Sequence, residues 1–398
     1  MSFYRALSPL EATYVATDTP DYTPFCNQFF LEGEGSLDLD AWIIASEKAA
    51  IANPGIRLQL KGRWGWRYWD DEGPLPTVRK IQTDWDGTSS ENTPDIFKPF
   101  NARNRPNAEI ILIESSNAAP RILFRTHHAI TDGMGMLHWM DECFRALNNE
   151  PLKGSKGTNN EWDIIKQHEA PERTLFEGNC VSLSPLSKNP ELRHCRWYRC
   201  DWPTDGKKIL PKLVLSASIV AKKHHSDGRT LFRIPSDLRW YQGKGAEFTL
   251  ANASGAFDLE TDEESTISSI QRAVRDGMRS KADLSVFPSN LYLANWLPKA
   301  MMNPKSETLR NTHASGLYRM TGTVSYVGER DPGKLSDKHF TGKALYGIPI
   351  ALENRGLFMA VTNTKDTLSV TLGIPNALAT HEELVALGEE LHETFNSL

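Results

Sequence analysis

Between Pro120 and Leu147 the chain passes from a run of strand-forming residues to apolar positions at helical spacing. Arg121-Ile122-Leu123-Phe124-Arg125-Thr126 is enriched in β-branched and aromatic residues, and from Met134 onward Leu137, Met140, Phe144 and Leu147 recur near the helical period. Upstream, Leu39 to Ala50 reads as a helix capped by Asp38 or Ser36 and stopped near Asn53-Pro54-Gly55. A hairpin is expected next, from Arg57 to Leu60 and Trp64 to Trp69, with Asp70-Asp71-Glu72-Gly73-Pro74 as turn material. Ala108 to Glu114 and Pro120 to His127 then form two apolar strands joined by Ser115-Ser116-Asn117-Ala118-Ala119.

From Asn148 to Asp205 the periodicity fades into polar sequence punctuated by Gly154, Gly157, Pro171, Pro185 and Pro190, which marks a crossing between units. Beyond it, Leu210 to Val220 and Glu263 to Met278 read as helices, and Thr230 to Pro235 and Gly322 to Gly328 as strands. Gly356 to Thr362 and Thr367 to Ile374 form a hairpin around Asn363-Thr364-Lys365-Asp366. The last helix places Leu384, Leu387, Leu391, Phe395 and Leu398 on one face behind a Thr380/Glu383 capping box. The pattern predicts an α/β fold in two halves, an N-terminal lobe over 1–185 and a C-terminal lobe over 186–398, with the crossing inside roughly 148–205. No internal repeat or low-complexity tract interrupts it.

Composition narrows the function classes. A chain of 398 residues, 39% hydrophobic and 24% charged, buries one sizeable core and more comfortably two. Its net charge of -5 is spread without a basic stripe, which argues against nucleic acid and anionic membranes as partners. No run approaches a membrane span and no signal-peptide region follows Met1, so a cytoplasmic location is expected. Cys26, Cys143, Cys180, Cys195 and Cys200 contain no Cys-x-x-Cys pair and read as reduced thiols.

The chemistry concentrates at His127-His128-Ala129-Ile130-Thr131-Asp132-Gly133, where the apolar strand ends and the helix begins. Strand alternation sends His127 and His128 to opposite sides, so the imidazoles do not converge. A histidine with a reference pKa of about 6.5 is largely neutral at cellular pH and suits a general base, the role assigned here to His128. His127 reads as a structural residue of the turn. Asp132 is placed to cap the helix or to form an ion pair, and Gly133 and Gly135 to supply backbone freedom and close packing. Other clusters are weaker. His224-His225-Ser226-Asp227-Gly228 reads as a polar turn, and His194, Cys195 and Cys200 fit no standard zinc spacing, so no metal site is expected. Trp64, Trp66 and Tyr68 alternate along one strand face and read as sheet covering.

The heptapeptide matches every fixed position of the HHxxxDG signature. The chain thereby resembles the superfamily of chloramphenicol acetyltransferase, BAHD acyltransferases, polyketide-associated acyltransferases and peptide-synthetase condensation domains. Leu7-Ser8-Pro9-Leu10-Glu11, Ile234-Pro235-Ser236-Asp237-Leu238-Arg239 and Thr323-Val324-Ser325-Tyr326-Val327-Gly328 are similar to family features in the same order. The resemblance implies a pseudodimer of two lobes with mixed sheets around a central tunnel, with His128 near its middle as general base and no acyl-enzyme. It also implies an Asp132–Arg239 ion pair and a hydroxyl from Ser325 for the oxyanion, although related enzymes often carry asparagine where this chain has Tyr326.

The expected reaction is transfer from a coenzyme A or acyl-carrier-protein thioester to the hydroxyl of a specialised metabolite or lipid, by a monomer with no permanently bound cofactor. Alternatives are an amide-forming condensation enzyme of a nonribosomal peptide pathway, with an amine acceptor and a carrier protein as partner, and a non-catalytic scaffold on the same fold. A zinc hydrolase is disfavoured by the divergent histidines.

Overall fold

Two mixed sheets organise the computed structural model, which describes residues 4–16, 25–171, 179–185, 189–285, 296 and 306–398. The first runs in the order Phe340–Gly347, Cys26–Gly35, Arg121–His127, Ala108–Glu114, Thr77–Gln82. Only its last pair is parallel. All seven residues of Arg121–His127 are buried. Ile122 and Phe124 pack with Ile110, Leu112, Trp42, Trp139 and Phe144 under the helices Leu39–Ala52 and Gly133–Leu147. Leu123 packs on the other face with Phe30, Ile111, Ile113 and Tyr346. Burying one such side chain stabilises by about 1.5–3 kcal/mol, so covering both faces anchors the strand that delivers the histidine pair. Asp38 caps the first of these helices, accepting from the Asp40 and Ala41 N–H groups at 3.0 and 3.2 Å.

The second sheet has the order Ser254–Thr261, Thr230–Asp237, Gly322–Glu329, Phe358–Asn363, Thr367–Pro375, Cys195–Pro203. Helices Ile209–His224 and His381–Ser397 cover it, burying Leu213, Val214 and Ala217 beside Leu384, Leu387, Leu391 and Phe395. The expected capping box forms: Glu383 N–H donates to Thr380 Oγ1 at 3.2 Å and Thr380 N–H to Glu383 Oε2 at 2.8 Å. Among the described residues no helix is long and apolar enough to cross a membrane, and the five cysteines are free.

Several elements differ from the sequence expectation. Gly62 takes a φ of +73°, and a Cβ there would stand 2.1 Å from the Trp66 carbonyl oxygen, so the chain turns at this point. Trp64–Trp66 is consequently a 3-10 turn between the short strands Gln59–Lys61 and Tyr68–Asp70, and the alternating aromatic face does not form. Trp66 is 77% exposed, whereas Trp69 is fully buried and donates its Nε1–H to Glu11 at 3.1 Å. The Trp64 side chain lies outside the described residues. Cys195–Pro203 belongs to the second sheet, its outermost strand, so the irregular crossing ends before it. The polar residues that hid it alternate with buried Trp197, Arg199 and Trp202. Phe340–Gly347, which shows no strong strand pattern, returns from the second half of the chain to pair with Cys26–Gly35 in the first sheet.

Candidate active site

The strand Arg121–His127 ends in a turn in which Ile130 N–H donates to the His127 carbonyl at 3.0 Å. His127 is buried, and its Nδ1 accepts the Ala129 N–H at 2.9 Å, which spends that nitrogen on the turn. His128 is half-buried in a cluster of rings, its centroid 4.8 Å from Tyr14 and 5.1 Å from Phe25, which stack on each other at 4.5 Å. The carboxamide nitrogens of Asn252 and Asn27 lie 3.1 and 3.4 Å from His128 Nδ1. Asn252 also donates to the His128 carbonyl at 3.1 Å, and Asn27 to that of Thr131. His128 Nε2 makes no hydrogen bond among the described residues. Burial is the largest influence on the imidazole and pushes it down to about 4; the residue's own carbonyl and the Asp132 carboxylate pull the other way. The ring is therefore neutral throughout the physiological range.

Asp132 faces away from this ring. Its Oδ1 accepts the Gly135 N–H at 2.8 Å and caps the helix Gly133–Leu147, while Oδ2 accepts from Arg239 Nη1 at 2.9 Å and from Ala253 N–H at 2.8 Å. Arg239 also donates to Asp237 and to the Thr249 and Ala251 carbonyls, so one guanidinium joins the histidine turn to the second lobe. Burial works against the Asp132 carboxylate, but Arg239 and the two backbone donors outweigh it and hold its pKa below the ordinary value. A Cβ on Gly135 would stand 2.0 Å from Thr131 Oγ1, so no side chain fits there. Gly133 has no such constraint: a Cβ would meet nothing nearer than 4.0 Å, and its φ is not positive.

Ser325 lies opposite Ala360 in the strand Gly322–Glu329, half-buried, and its hydroxyl makes no hydrogen bond among the described residues. Tyr326 turns the other way and donates to Asn363 Oδ1 at 2.7 Å. Sequence reasoning passed over Tyr14, Phe25, Asn27 and Asn252, which come to His128 from remote segments and carry no local motif. It also passed over Glu161, the first residue of the short helix Glu161–Ile165.

Glu161 is 1% exposed, and neither carboxylate oxygen meets a donor within hydrogen-bonding geometry among the described residues. Burial and the neighbouring Glu11 carboxylate raise it to about 8, against the pull of the Ser8 hydroxyl and Arg5. Between the ordinary value of 4.5 and about 8, the folded protein keeps a proton that the unfolded chain has released, so this residue's contribution to stability falls as pH rises through that window. Glu161→Gln is expected to remove that decline. Relative to wild type, the variant's stability should rise from pH 5 to pH 8 by on the order of a few kcal/mol, read as a widening melting-temperature gap. A pH-independent gap would refute the buried proton.

No family model and no curated protein matches the sequence. Solved structures do match. A variant of the starter condensation domain of rhizomide synthetase RzmA, in complex with C8-CoA, superposes with a TM-score of 0.68 at 14% identity over 99% of this chain and 94% of that one. The chain has the condensation-domain fold. The first condensation domain of the calcium-dependent antibiotic synthetase, bound to a substrate analogue, gives 0.67 at 13% identity over 98% and 95% of the two chains. The condensation domain of the Monacolin K polyketide synthase MokA gives 0.64 at 9% identity over 99% and 97%. The two mixed sheets thus match the two-lobed fold of those condensation domains.

Proposed function

We propose that this condensation-fold chain is an acyltransferase that moves an acyl group from a coenzyme A or carrier-protein thioester to a hydroxyl, with His128 as general base. The observation that carries the proposal is an imidazole that burial keeps neutral, whose Nδ1 is approached by Asn252 and Asn27 and whose Nε2 has no hydrogen-bond partner among the described residues. The proposed role needs the proton on Nδ1 and the Nε2 lone pair free for the acceptor; the residue's own carbonyl favours a ring proton, while the Asn252 and Asn27 carboxamide nitrogens beside Nδ1 oppose one there.

The acceptor O–H gives its proton to Nε2 while its oxygen attacks the thioester carbonyl. The tetrahedral oxyanion then collapses, the C–S bond breaks, and the leaving thiolate takes the proton from Nε2. The products are an ester and a free thiol, and no acyl-enzyme forms. A pKa near 4 makes His128 a weak base, but the imidazolium develops together with an oxyanion, and opposite charges attract strongly in a site of low dielectric. Ser325 is the proposed oxyanion donor. Val324 points into the helix-covered core, so strand alternation turns Ser325 and Thr323 to the opposite face.

Amide formation is the second reading. It draws support from the condensation-domain neighbours, and the same base would serve an amine acceptor. The test is free-thiol release and intact-mass monitoring with a panel of acyl-coenzyme A and acyl-carrier thioesters, in the presence of alcohols or amines. Release that depends on an alcohol, with no mass gain on the protein, is expected. Release with amines alone would select the condensation reading, a persistent acyl adduct would overturn direct transfer, and no release from any donor would favour a scaffold.

A further inference from the structure

Beyond Tyr14, on the second lobe, positive charge gathers without enough negative charge to match it. Arg233, in the strand Thr230–Asp237, grips Asp258 with two hydrogen bonds of 2.7 and 2.8 Å. Its register partner in the neighbouring parallel strand is Thr323, whose Oγ1 accepts from Arg355 Nη1 at 3.2 Å. Arg319 joins them through the chain that precedes Arg355, its N–H donating to the Asn354 carbonyl at 3.3 Å. Neither the Arg355 nor the Arg319 guanidinium meets a carboxylate among the described residues, so Asp258 alone faces three cations.

The mutual effect is large. Burial, then Arg233 and Arg319, push half-buried Arg355 down to about 9. Burial and Arg233 likewise lower exposed Arg319. Tyr14 feels both Arg355 and Arg233, and its ring lies 4.8 Å from His128, which puts the cluster beside the proposed reaction centre. Glu161, on whose charge Tyr14 also depends, does not neutralise the cluster, because it keeps its proton up to about pH 8. Cations that are partly desolvated and share one carboxylate gain from a further anion. A guanidinium fork matches the two oxygens of a carboxylate or phosphate.

We infer that Arg355, with Arg319 and the Asp258-anchored Arg233, forms a subsite for an oxyanion carried by one of the two substrates of the proposed transfer. Two sources share this chemistry: a phosphate of the coenzyme A or carrier arm, and a carboxylate on the acceptor. The substrate assignment rests on the proposed function, whereas the anion preference does not, because it can be measured without turnover.

The test is calorimetric titration of the full chain at fixed ionic strength with two matched pairs, coenzyme A against pantetheine and 4-hydroxybenzoate against its carboxamide. The wild type is expected to prefer the anionic member of one pair by roughly 10- to 100-fold, the range of a charge-assisted fork, and Arg355→Gln to collapse that ratio towards one. A preference within the coenzyme A pair names the phosphate, and one within the benzoate pair names the carboxylate. Arg319→Gln, at an exposed position, should cut the same ratio several-fold without risk to folding and serves if Arg355→Gln does not fold. No charge preference in either pair, or a preference untouched by Arg319→Gln and by a folded Arg355→Gln, overturns the inference. Anion preference without thiol release would keep the subsite and remove the transfer reading; thiol release without anion preference would do the reverse.

Discussion

Replacing His128 by alanine is expected to lower acyl-transfer turnover by roughly 10²- to 10⁴-fold, the usual contribution of a positioned general base, while the protein keeps its fold. The fold should survive because the neighbouring strand is held by buried Ile122, Leu123 and Phe124, none of which depends on the imidazole. The turn also keeps its own hydrogen bond from Ala129 to His127. The wild-type pH profile offers a second check. A base with a folded pKa near 4 is lost only as pH falls through that value, so its titration should leave kcat/KM flat from about pH 5.5 to 8. Stability follows the same shift. Between the ordinary 6.5 and about 4 the unfolded chain binds the proton that the folded chain refuses, so His128's contribution declines as pH falls through that interval. Steady-state kinetics and a thermal melt decide the matter: wild-type-like turnover by well-folded His128→Ala would falsify the mechanism.

Asp132→Ala is expected to destabilise the protein by about 1.5–3 kcal/mol, because it removes a charge-assisted hydrogen bond and leaves the buried Arg239 guanidinium with Asp237 as its carboxylate partner. Arg239 is 8% exposed at the side chain and Asp132 4%. The helix cap at Gly135 goes too, which costs about 1 kcal/mol more, and Ala253 loses its acceptor. Turnover should also fall, since Asn252, next to Ala253, holds the His128 carbonyl and approaches its Nδ1. Denaturant unfolding measures the first effect. The double variant Asp132→Ala/Arg239→Met should recover part of the stability, because it removes the buried cation that has lost one of its two carboxylates, but little of the activity. If Asp132→Ala unfolds at the wild-type midpoint, the ion pair is not what joins the turn to the second lobe.

Much of the scaffold was legible in the chain because its periodicities are strong. The strand before His127, the helix after Asp132 and the Thr380 capping box each combine pattern with a terminal signal that local physics enforces. The strand Cys195–Pro203 escaped because arginines and an aspartate separate Trp197 on one face from Tyr198, Cys200 and Trp202 on the other, and such half-polar sequence next to prolines looks like loop. The Trp64–Trp66 turn escaped because Gly62 interrupts an otherwise strand-like aromatic run. At the site, the motif marked His128 but not what surrounds it. Tyr14, Asn27, Asn252 and Glu161 acquire meaning only through long-range packing, and the low pKa of His128 is a property of that packing rather than of the heptapeptide.

The strand Phe340–Gly347 has a consequence for how the molecule is made. Leu31 pairs with Leu345, so one side of the first sheet stays open until synthesis has passed Gly347. At about 5–20 residues per second, Cys26–Gly35 waits roughly tens of seconds with its hydrogen-bonding groups open on one side. An open strand edge is a template for foreign strands during that interval. The first lobe cut away from the second would carry the same edge permanently, so dividing the gene between the lobes should yield an aggregating fragment rather than an independent half.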